Sequence, residues 1–326
     1  MPFKISFCGD TSLGEYYLAR SQHKYPQAWQ RLQQQPASFF AQLTPALAQS
    51  NEVIVNLETV LSALPGAPIA GKQYPGRDNP QILLPLLKDL GVTAVMLANN
   101  HSMDFGPDAL LDMIKHLQQA GIAVMGAGLN AEQAFTPYVI AHPQHQGRNI
   151  YIFNMLHAKK RYRDYGFFAS DTNAGVADAA CESWPERIMQ LKEQEPDATV
   201  ILCPHWQGID YLPVKEQHQE WCREMAYAGA DYIIAQGTHT TDAIEQFEQC
   251  TIFYSIGNFV FNSPGRYQKL QAAPHSLIVS LTSQDSTWHC TAQQLLTDNK
   301  QTGFNVTPVG TELPVQAKPY TLEEAE

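Results

Sequence analysis

Short apolar runs of strand length alternate with longer segments of helical spacing along most of this chain. The apolar runs predict buried strands at residues 5–8, 53–55, 92–97, 199–203 and 232–235. Helical spacing predicts helices at residues 36–48, 80–90, 107–120, 184–195 and 215–228. Gly91, Gly121 and Gly229 directly follow three of these helices, which is typical of a left-handed helix end. This alternation, which continues to about residue 261, predicts an α/β fold.

Two long polar stretches interrupt the alternation. Residues 61–79 are rich in proline and glycine, and residues 158–183 form a polar insertion. Loops of this length are uncommon unless they are functional, so both are candidates for covering a substrate. From residue 274 onward the pattern changes to β-type runs at residues 276–281 and 287–295. We therefore expect one domain over residues 1–267, a β segment at residues 268–300 that completes the same domain, and an irregular tail at residues 301–326.

Composition narrows the classes of protein and partner. The chain has 326 residues, of which 44% are hydrophobic and 16% are charged, as in ordinary globular proteins. Its net charge of -11 argues against nucleic-acid binding. The sequence carries neither a signal-peptide pattern nor an apolar run of about 18 residues that could span a membrane. The six cysteines are scattered without a C-x-x-C pair, which favours reduced thiols. We expect a cytoplasmic protein without a membrane partner, and the oligomeric state stays open.

Potential metal ligands follow five of the predicted strands. They are Asp10, Glu58, Asn99, Asn100, His101, His205 and His239. The carboxyl ends of strands line the ligand crevice of open α/β sheets. Amides and imidazoles at such ends are poor core material, because burying them without partners costs free energy. The pattern therefore predicts one site that holds a metal.

Taken singly, these residues have ordinary explanations. Asp10 could cap a turn, and Glu58 could cap a loop or pair with Lys72. His205 and His239 are ambiguous by themselves, but the whole set favours a ligand cluster over unrelated polar groups. Lys72, Arg161 and Arg163 are either solvated charges or clamps for substrate carboxylates or phosphates.

Six motifs in order add a family resemblance. They are Gly9-Asp10, Asn56-Leu57-Glu58, residues 98–106, Pro204-His205-Trp206, residues 228–231 and residues 254–259. Over residues 3–262 the chain resembles the capsule synthesis CapA/PgsA family, a branch of the calcineurin-like metallophosphoesterases. The resemblance implies a four-layer αββα sandwich of the metallo-dependent phosphatase type, with a short β-rich C-terminal extension and a metal centre at the strand ends.

The resemblance also implies a role for each motif residue. Asp10 would ligate a first metal and Glu58 would bridge two metals. The second metal would be held by Glu58, Asn100, His205 and His239. His101 would protonate the leaving group, Asn99 would help to shape the catalytic site, and Asn258 would lie at the substrate.

The chain departs from the family pattern at two positions. Ser12 and Thr241 stand where the family usually has histidines, so the first metal position loses ligands. We therefore expect one tight divalent metal with a weaker second position. Mixed carboxylate, amide and imidazole ligation suits Mn, Zn or Fe.

These features predict a metal-dependent hydrolase of the CapA/PgsA type. It would cleave an amide of a (γ-)glutamyl peptide or polymer through a metal-activated water. One alternative is a phosphoesterase or phosphodiesterase that acts on a small molecule. Another is a degenerate, non-catalytic binding protein for polymer synthesis, which the substitutions at Ser12 and Thr241 favour.

Overall fold

The computed structural model describes residues 2–143, 145, 147–284 and 287–320 of the chain. Within these residues the strands are β1 (Phe3–Ser12), β2 (Glu52–Leu57), β3 (Val60–Leu61), β4 (Arg77–Asp78), β5 (Ala94–Met96), β6 (Ala123–Met125), β7 (Ala127–Gly128), β8 (Tyr138–Ala141), β9 (Asn149–His157), β10 (Gly175–Val176), β11 (Thr199–Trp206), β12 (Tyr232–Ile234), β13 (Ile244–Phe247), β14 (Cys250–Phe253), β15 (Asn258–Phe261), β16 (His275–Gln284), β17 (Thr287–Leu296), β18 (Thr307–Pro314) and β19 (Lys318–Pro319). The helices are α1 (Glu15–Ser21), α2 (Pro26–Gln34), α3 (Thr44–Leu47), α4 (Pro80–Asp89), α5 (Pro107–Gln119), α6 (Ala131–Ala134), α7 (Arg161–Asp164), α8 (Trp184–Gln194), α9 (Glu216–Tyr227), α10 (Tyr267–Leu270) and α11 (Asn299–Thr302), with a 3₁₀ turn at Pro36–Phe39. None of the helices in this described part is long and apolar enough to cross a membrane.

Two large mixed sheets form the centre of the fold. The first has the strand order β18-β17-β16-β1-β2-β5-β6, with β15 added parallel to β1. Its strands β1, β2, β5 and β6 run parallel, whereas β16, β17 and β18 pair antiparallel. The second sheet has the order β19-β13-β14-β12-β11-β9-β8, and β9, β11, β12 and β14 run parallel within it.

Three apolar clusters show how the layers pack. Successive side chains of a strand point to opposite faces, so Phe7 and Ile54 lie between the sheets while Cys8 and Val55 face the helices. The cluster between the sheets also takes side chains from the second sheet, among them Ile152, Ile201 and Phe253. A second cluster lies under α2, α4 and α5, and a third lies between the second sheet and α8 and α9. The fold is therefore the four-layer αββα sandwich that the resemblance implies.

Four of the five predicted helices are confirmed as α4, α5, α8 and α9. The predicted helix at residues 36–48 is wrong, because this segment forms a 3₁₀ turn and the short helix α3. The helices α1 and α2 have no counterpart among the predictions. In α2 only Ala28 and Leu32 are buried among several glutamines, so its apolar stripe is too sparse to be recognised.

The C-terminal part of the chain extends both sheets. Strand β16 pairs antiparallel with β1, and β17 pairs with β16, so residues 275–284 and 287–296 lie in the same sheet as Asp10. The prediction of an irregular tail over residues 301–326 is wrong for β18 and β19, which pair with β17 and β13. Strand β18 is largely exposed and lacks apolar alternation, which explains why its sequence does not predict it. The last six positions of that tail, 321–326, lie outside the described residues.

Candidate metal centre

The carboxyl ends of strands from both sheets meet at one edge of the fold. The side chains gathered there are Asp10 in β1, Glu58 after β2, Asn100 and His101 after β5, His205 in β11 and His239 after β12. Strands β1, β2 and β5 are parallel neighbours, so their polar ends lie next to one another. His205 and His239 reach the same place from the second sheet.

A glycine allows a close approach between two strands at this edge. A Cβ atom on Gly9 would lie only 1.7 Å from the carbonyl oxygen of Gly257. That carbonyl accepts a hydrogen bond from the backbone N–H of Asp10 at 3.1 Å. Any side chain at Gly9 would therefore push β15, which begins at Asn258, away from Asp10.

The five predicted ligands converge. Asp10 Oδ2 lies 3.1 Å from His239 Nδ1, and His205 Nε2 lies 2.7 Å from Asn100 Oδ1. Glu58 lies between these two pairs, with Oε1 3.6 Å from His205 Nε2 and Oε2 3.9 Å from His239 Nδ1. Asp10, Glu58 and His205 are each at most 2% exposed. Each of Asp10, Glu58 and His239 offers one ligand atom, and these three atoms lie within 4.8 Å of one another.

The grouping of these side chains differs from the one that the resemblance implies. His239 was expected beside Asn100 and His205, but its contacts are with Asp10 and the Oε2 atom of Glu58. The Oε1 atom of Glu58 faces His205 instead. Glu58 therefore separates two half-sites of three donors each, as a bridging carboxylate would.

The backbone and the surrounding rings hold His239 in place. His239 has a φ of +66°, a left-handed conformation that is uncommon outside glycine. Its ring lies between those of Tyr211 and Phe261, with centroid distances of 5.2 and 4.9 Å. Backbone strain of this kind is frequent at functional sites and persists only where the surrounding packing imposes it.

The two buried carboxylates shift the pKa values around them. Burial, and then the charge of Asp10, raises the pKa of Glu58 well above its usual value. Burial disfavours protonation of His239, but the charges of Glu58 and Asp10 outweigh it and raise the pKa of His239 to about 10. Burial lowers the pKa of His205 to about 4. Burial also opposes ionisation of Asp10, yet contact with His239 holds the Asp10 pKa below its usual value. A proton on His239 thus balances part of the negative charge, and His205 is neutral.

The residues fit a divalent metal. Asp10 Oδ2 and Glu58 Oε2 are buried and accept no hydrogen bond from the described residues, although His239 Nδ1 lies 3.1 Å from Asp10 Oδ2 and hydrogen-bonds Asn258 Oδ1 at 2.9 Å. Unpartnered buried carboxylate oxygens are costly, and a cation would satisfy them. Carboxylate, amide and imidazole donors together suit Mn, Zn or Fe.

His101 belongs to a dyad with an acidic partner. Its Nδ1 atom lies 2.6 Å from Asp104 Oδ2, and its Nε2 atom lies 3.7 Å from Glu58 Oε1. Burial, and then the charge of Lys72, lowers the pKa of His101. A neutral imidazole that donates Nδ1–H to the carboxylate directs the Nε2 lone pair toward the centre. The N-cap residue of α5 is Gly106, and the Asp104 side chain turns toward His101.

Two predicted amides are held by the protein itself. Asn99 Nδ2 donates to Asn56 Oδ1 and to the Leu57 carbonyl, and Asn99 Oδ1 accepts from the N–H groups of His101 and Ser102. Asn99 therefore fixes the turn that presents Asn100 and His101. The Nδ2 group of Asn258, which was expected at the substrate, donates to the Tyr267 hydroxyl at 3.1 Å.

The three predicted anion clamps have different surroundings. The Lys72 side chain is only 2% exposed and lies against Asp104, not against Glu58. Arg161 is exposed, and Arg163 forms an ion pair of 2.5 Å with Asp178. Among the described residues, no contact connects either arginine with the metal centre. A role of Arg161 and Arg163 in substrate binding stays a prediction.

The substituted position Ser12 offers no free ligand. Its hydroxyl donates to Asp78 Oδ2 at 2.8 Å and accepts from the Gly14 N–H. The structure also adds residues to which the sequence assigned no role. Asn56 hydrogen-bonds Asp10 Oδ1 at 2.8 Å, and the charge of Asp210 acts on the centre's titrating groups. Asn56 lies in the same motif as Glu58, which is the one sequence signal that points to it.

The fold and the ligand cluster define the class: a four-layer αββα protein with a candidate metal centre at the carboxyl ends of its strands. The model of the family described as bacterial capsule synthesis protein PGA_cap matches residues 4–263. The chain belongs to that family.

Curated relatives agree with this assignment. The chain is 28% identical to the PGA biosynthesis protein CapA of Bacillus subtilis (strain 168) over 79% of this chain and 63% of that protein. It is 28% identical to the capsule biosynthesis protein CapA of Bacillus anthracis over 54% of this chain and 42% of that protein. It is 24% identical to a probable polyglutamine synthesis accessory protein of Mycobacterium tuberculosis (strain ATCC 25618 / H37Rv) over 72% of this chain and 62% of that protein. The chain thus spans less than two thirds of the length of these relatives.

Proposed function

We propose that this chain is a metal-dependent hydrolase that cleaves an amide bond of a (γ-)glutamyl peptide or polymer. The names of its relatives refer to PGA, capsule and polyglutamine synthesis, which supports a polymer-related substrate. The single observation that carries the hydrolase proposal is the pair of buried carboxylates of Asp10 and Glu58 beside His239, in which one oxygen of each accepts no hydrogen bond. Such a pair is expensive in a core and useful around a cation.

The chain's own residues have distinct tasks in this proposal. Asp10, Glu58 and His239 hold one side of the centre, and Glu58, Asn100 and His205 hold the other. A divalent metal bound there supplies a Lewis acid and makes water easier to deprotonate. His101 Nε2 accepts a proton from the attacking water as the new C–O bond forms. His101 then delivers that proton to the leaving nitrogen as the C–N bond breaks.

Metal analysis of protein purified without chelators tests the proposal, together with a hydrolysis assay. We expect at least one Mn, Zn or Fe per chain, and release of product from a γ-glutamyl anilide or from poly-γ-glutamate. His205→Ala and His239→Ala should each lose metal and hydrolysis. His218→Ala is the matched control, because His218 is also buried but contacts His157 and Trp206 and none of the candidate ligands.

The outcomes separate the alternatives. Full metal content in both ligand variants would contradict the metal centre. Turnover of a generic phosphodiester without any γ-glutamyl hydrolysis would exclude an amide hydrolase and would indicate a phosphodiesterase.

A second candidate function is a non-catalytic binding protein for polymer synthesis. The observation that favours it is Ser12, which stands where the family resemblance implies a histidine and whose hydroxyl donates to Asp78. This candidate predicts binding of poly-γ-glutamate without cleavage, unchanged in His101→Gln. Cleavage that depends on His101 would exclude it.

A further inference from the structure

Lys72 lies beneath the metal centre and not in solvent. It comes from the long segment 61–79, yet its side chain is 2% exposed. Its Nζ atom lies 2.6 Å from Asp104 Oδ1 and donates to the carbonyl oxygen of Asn100 at 2.6 Å. A buried ammonium group needs such partners, because desolvating an unpaired charge is costly. Both partners adjoin the centre, since Asn100 is a candidate ligand and Asp104 holds His101.

Asp104 is held on both of its oxygens. Oδ1 faces Lys72. Oδ2 accepts hydrogen bonds from His101 Nδ1 at 2.6 Å and from the backbone N–H of Gly76 at 2.7 Å. Contacts on both oxygens restrain the rotation of this carboxylate. The orientation of the His101 ring therefore depends on a cation that His101 does not touch.

The insertion at residues 158–183 packs over this cation. The rings of Tyr162 and Phe167 lie 5.4 and 5.6 Å from Lys72 Nζ, within the range of cation–π attraction. The hydroxyl of Tyr165 donates to the carbonyl of Gly71, next to Lys72, at 3.1 Å. The two long segments that interrupt the fold are thus joined at Lys72.

We propose that Lys72 is a positioning residue, which fixes Asp104 and the Asn100 carbonyl so that His101 Nε2 faces the metal centre. The proposal rests on the proposed function for the role of His101, but the positioning itself is a property of the metal-free chain. It replaces the expectation that Lys72 clamps a substrate anion, because Lys72 is buried and its charge is already paired inside the protein.

The chain offers a matched control. Lys192 Nζ contacts Asp231 Oδ2 at 2.7 Å and donates to the Ala198 carbonyl at 2.7 Å, the same pairing of one carboxylate and one carbonyl. This pair lies beside α8, on the outer face of the second sheet. Lys192→Met therefore removes an ion pair with the same kinds of partner, in a more exposed setting of 23% and 35%, without touching the dyad.

Proton NMR of the metal-free, full-length chain tests the positioning directly. A short hydrogen bond from His101 Nδ1–H to Asp104 should give a low-field proton resonance, assigned by its loss in His101→Gln. We expect the resonance to persist in Lys192→Met and to disappear in Lys72→Met. Lys72→Arg should restore it at least in part. Lys72→Gln, which keeps a donor but no charge, should also lose it and replaces the methionine variant if that one does not fold.

Kinetics with the γ-glutamyl anilide give a second readout. Lys72→Met should lower kcat at least tenfold with KM within twofold and metal content unchanged. The proposal is overturned if the resonance persists in folded Lys72→Met, if the wild-type chain shows no such resonance, or if KM rises while kcat stays constant. Absence of turnover in the wild-type chain would contradict the proposed function but not the positioning role of Lys72, since the NMR comparison does not need activity.

Discussion

Metal binding should release a proton from the centre, and its pH dependence follows from His239. Glu58 and Asp10 raise the pKa of His239 to about 10, so the metal-free chain carries a proton on this ring at pH 7.5. An imidazole nitrogen must lose that proton before it can bind a metal. A pKa 2.5 units above the working pH corresponds to a cost of about 3 kcal/mol. Affinity should therefore rise by roughly tenfold per pH unit between pH 7 and pH 9 and level off near the pKa.

Isothermal titration calorimetry with Mn²⁺ or Zn²⁺ measures this release. Titrations at pH 7.5 in two buffers with different ionisation enthalpies give the number of protons released. We expect at least one, because the raised pKa of Glu58 acts in the same direction as that of His239. Glu58→Gln keeps an oxygen ligand but removes the charge that contributes most to raising the pKa of His239, so it should release fewer protons. Metal binding by the wild-type chain without proton release, or equal release in Glu58→Gln, would refute the electrostatic argument.

Three further predictions concern other parts of the molecule. His101→Gln should keep its metal but lose about 10²–10⁴-fold in kcat, measured with the γ-glutamyl anilide; an unchanged rate would exclude His101 from proton transfer. Phe7→Ala should lower stability by about 3–5 kcal/mol and the Tm by roughly 4–7 °C in calorimetry, because Phe7 is fully buried between the sheets. Burial, and then His157, lowers the pKa of His218 to about 4, so stability should fall as the pH drops from about 6.5 toward 4. His218→Leu should lose this acid sensitivity in denaturant titrations at pH 7 and pH 5, and an unchanged pH dependence would contradict the shift.

The sequence predicts the strand ends well because two independent patterns agree there. Buried strands stand out as apolar runs, and polar residues directly after them need a reason to be buried. This logic places Asp10, Glu58, Asn100, His205 and His239 at one edge, and the structure brings them together. Elements without a pattern are missed, such as the glutamine-rich α2 and the exposed strand β18.

The arrangement around the ligands could not be predicted from sequence because it depends on contacts between distant segments. Asp104 lies just before a helix, where acidic residues commonly cap, and nothing local shows that it faces His101 and Lys72. Likewise, His239 lies with Asp10, and Glu58 separates it from His205, only because the fold brings these distant segments together. Neighbouring polar residues are visible in a sequence, whereas the partner of each atom is not.

Asp10, Glu58, Asn100, His205 and His239 should form one metal centre, with Glu58 between its two half-sites. Anomalous diffraction from crystals grown with Mn²⁺ or Zn²⁺ locates any bound metal. We expect a strong anomalous peak about 2.0–2.3 Å from the ligand atoms of at least one half-site, Glu58 among them. Ordered side chains without an anomalous peak among them, or a metal bound only elsewhere, would show that these residues do not form a metal centre.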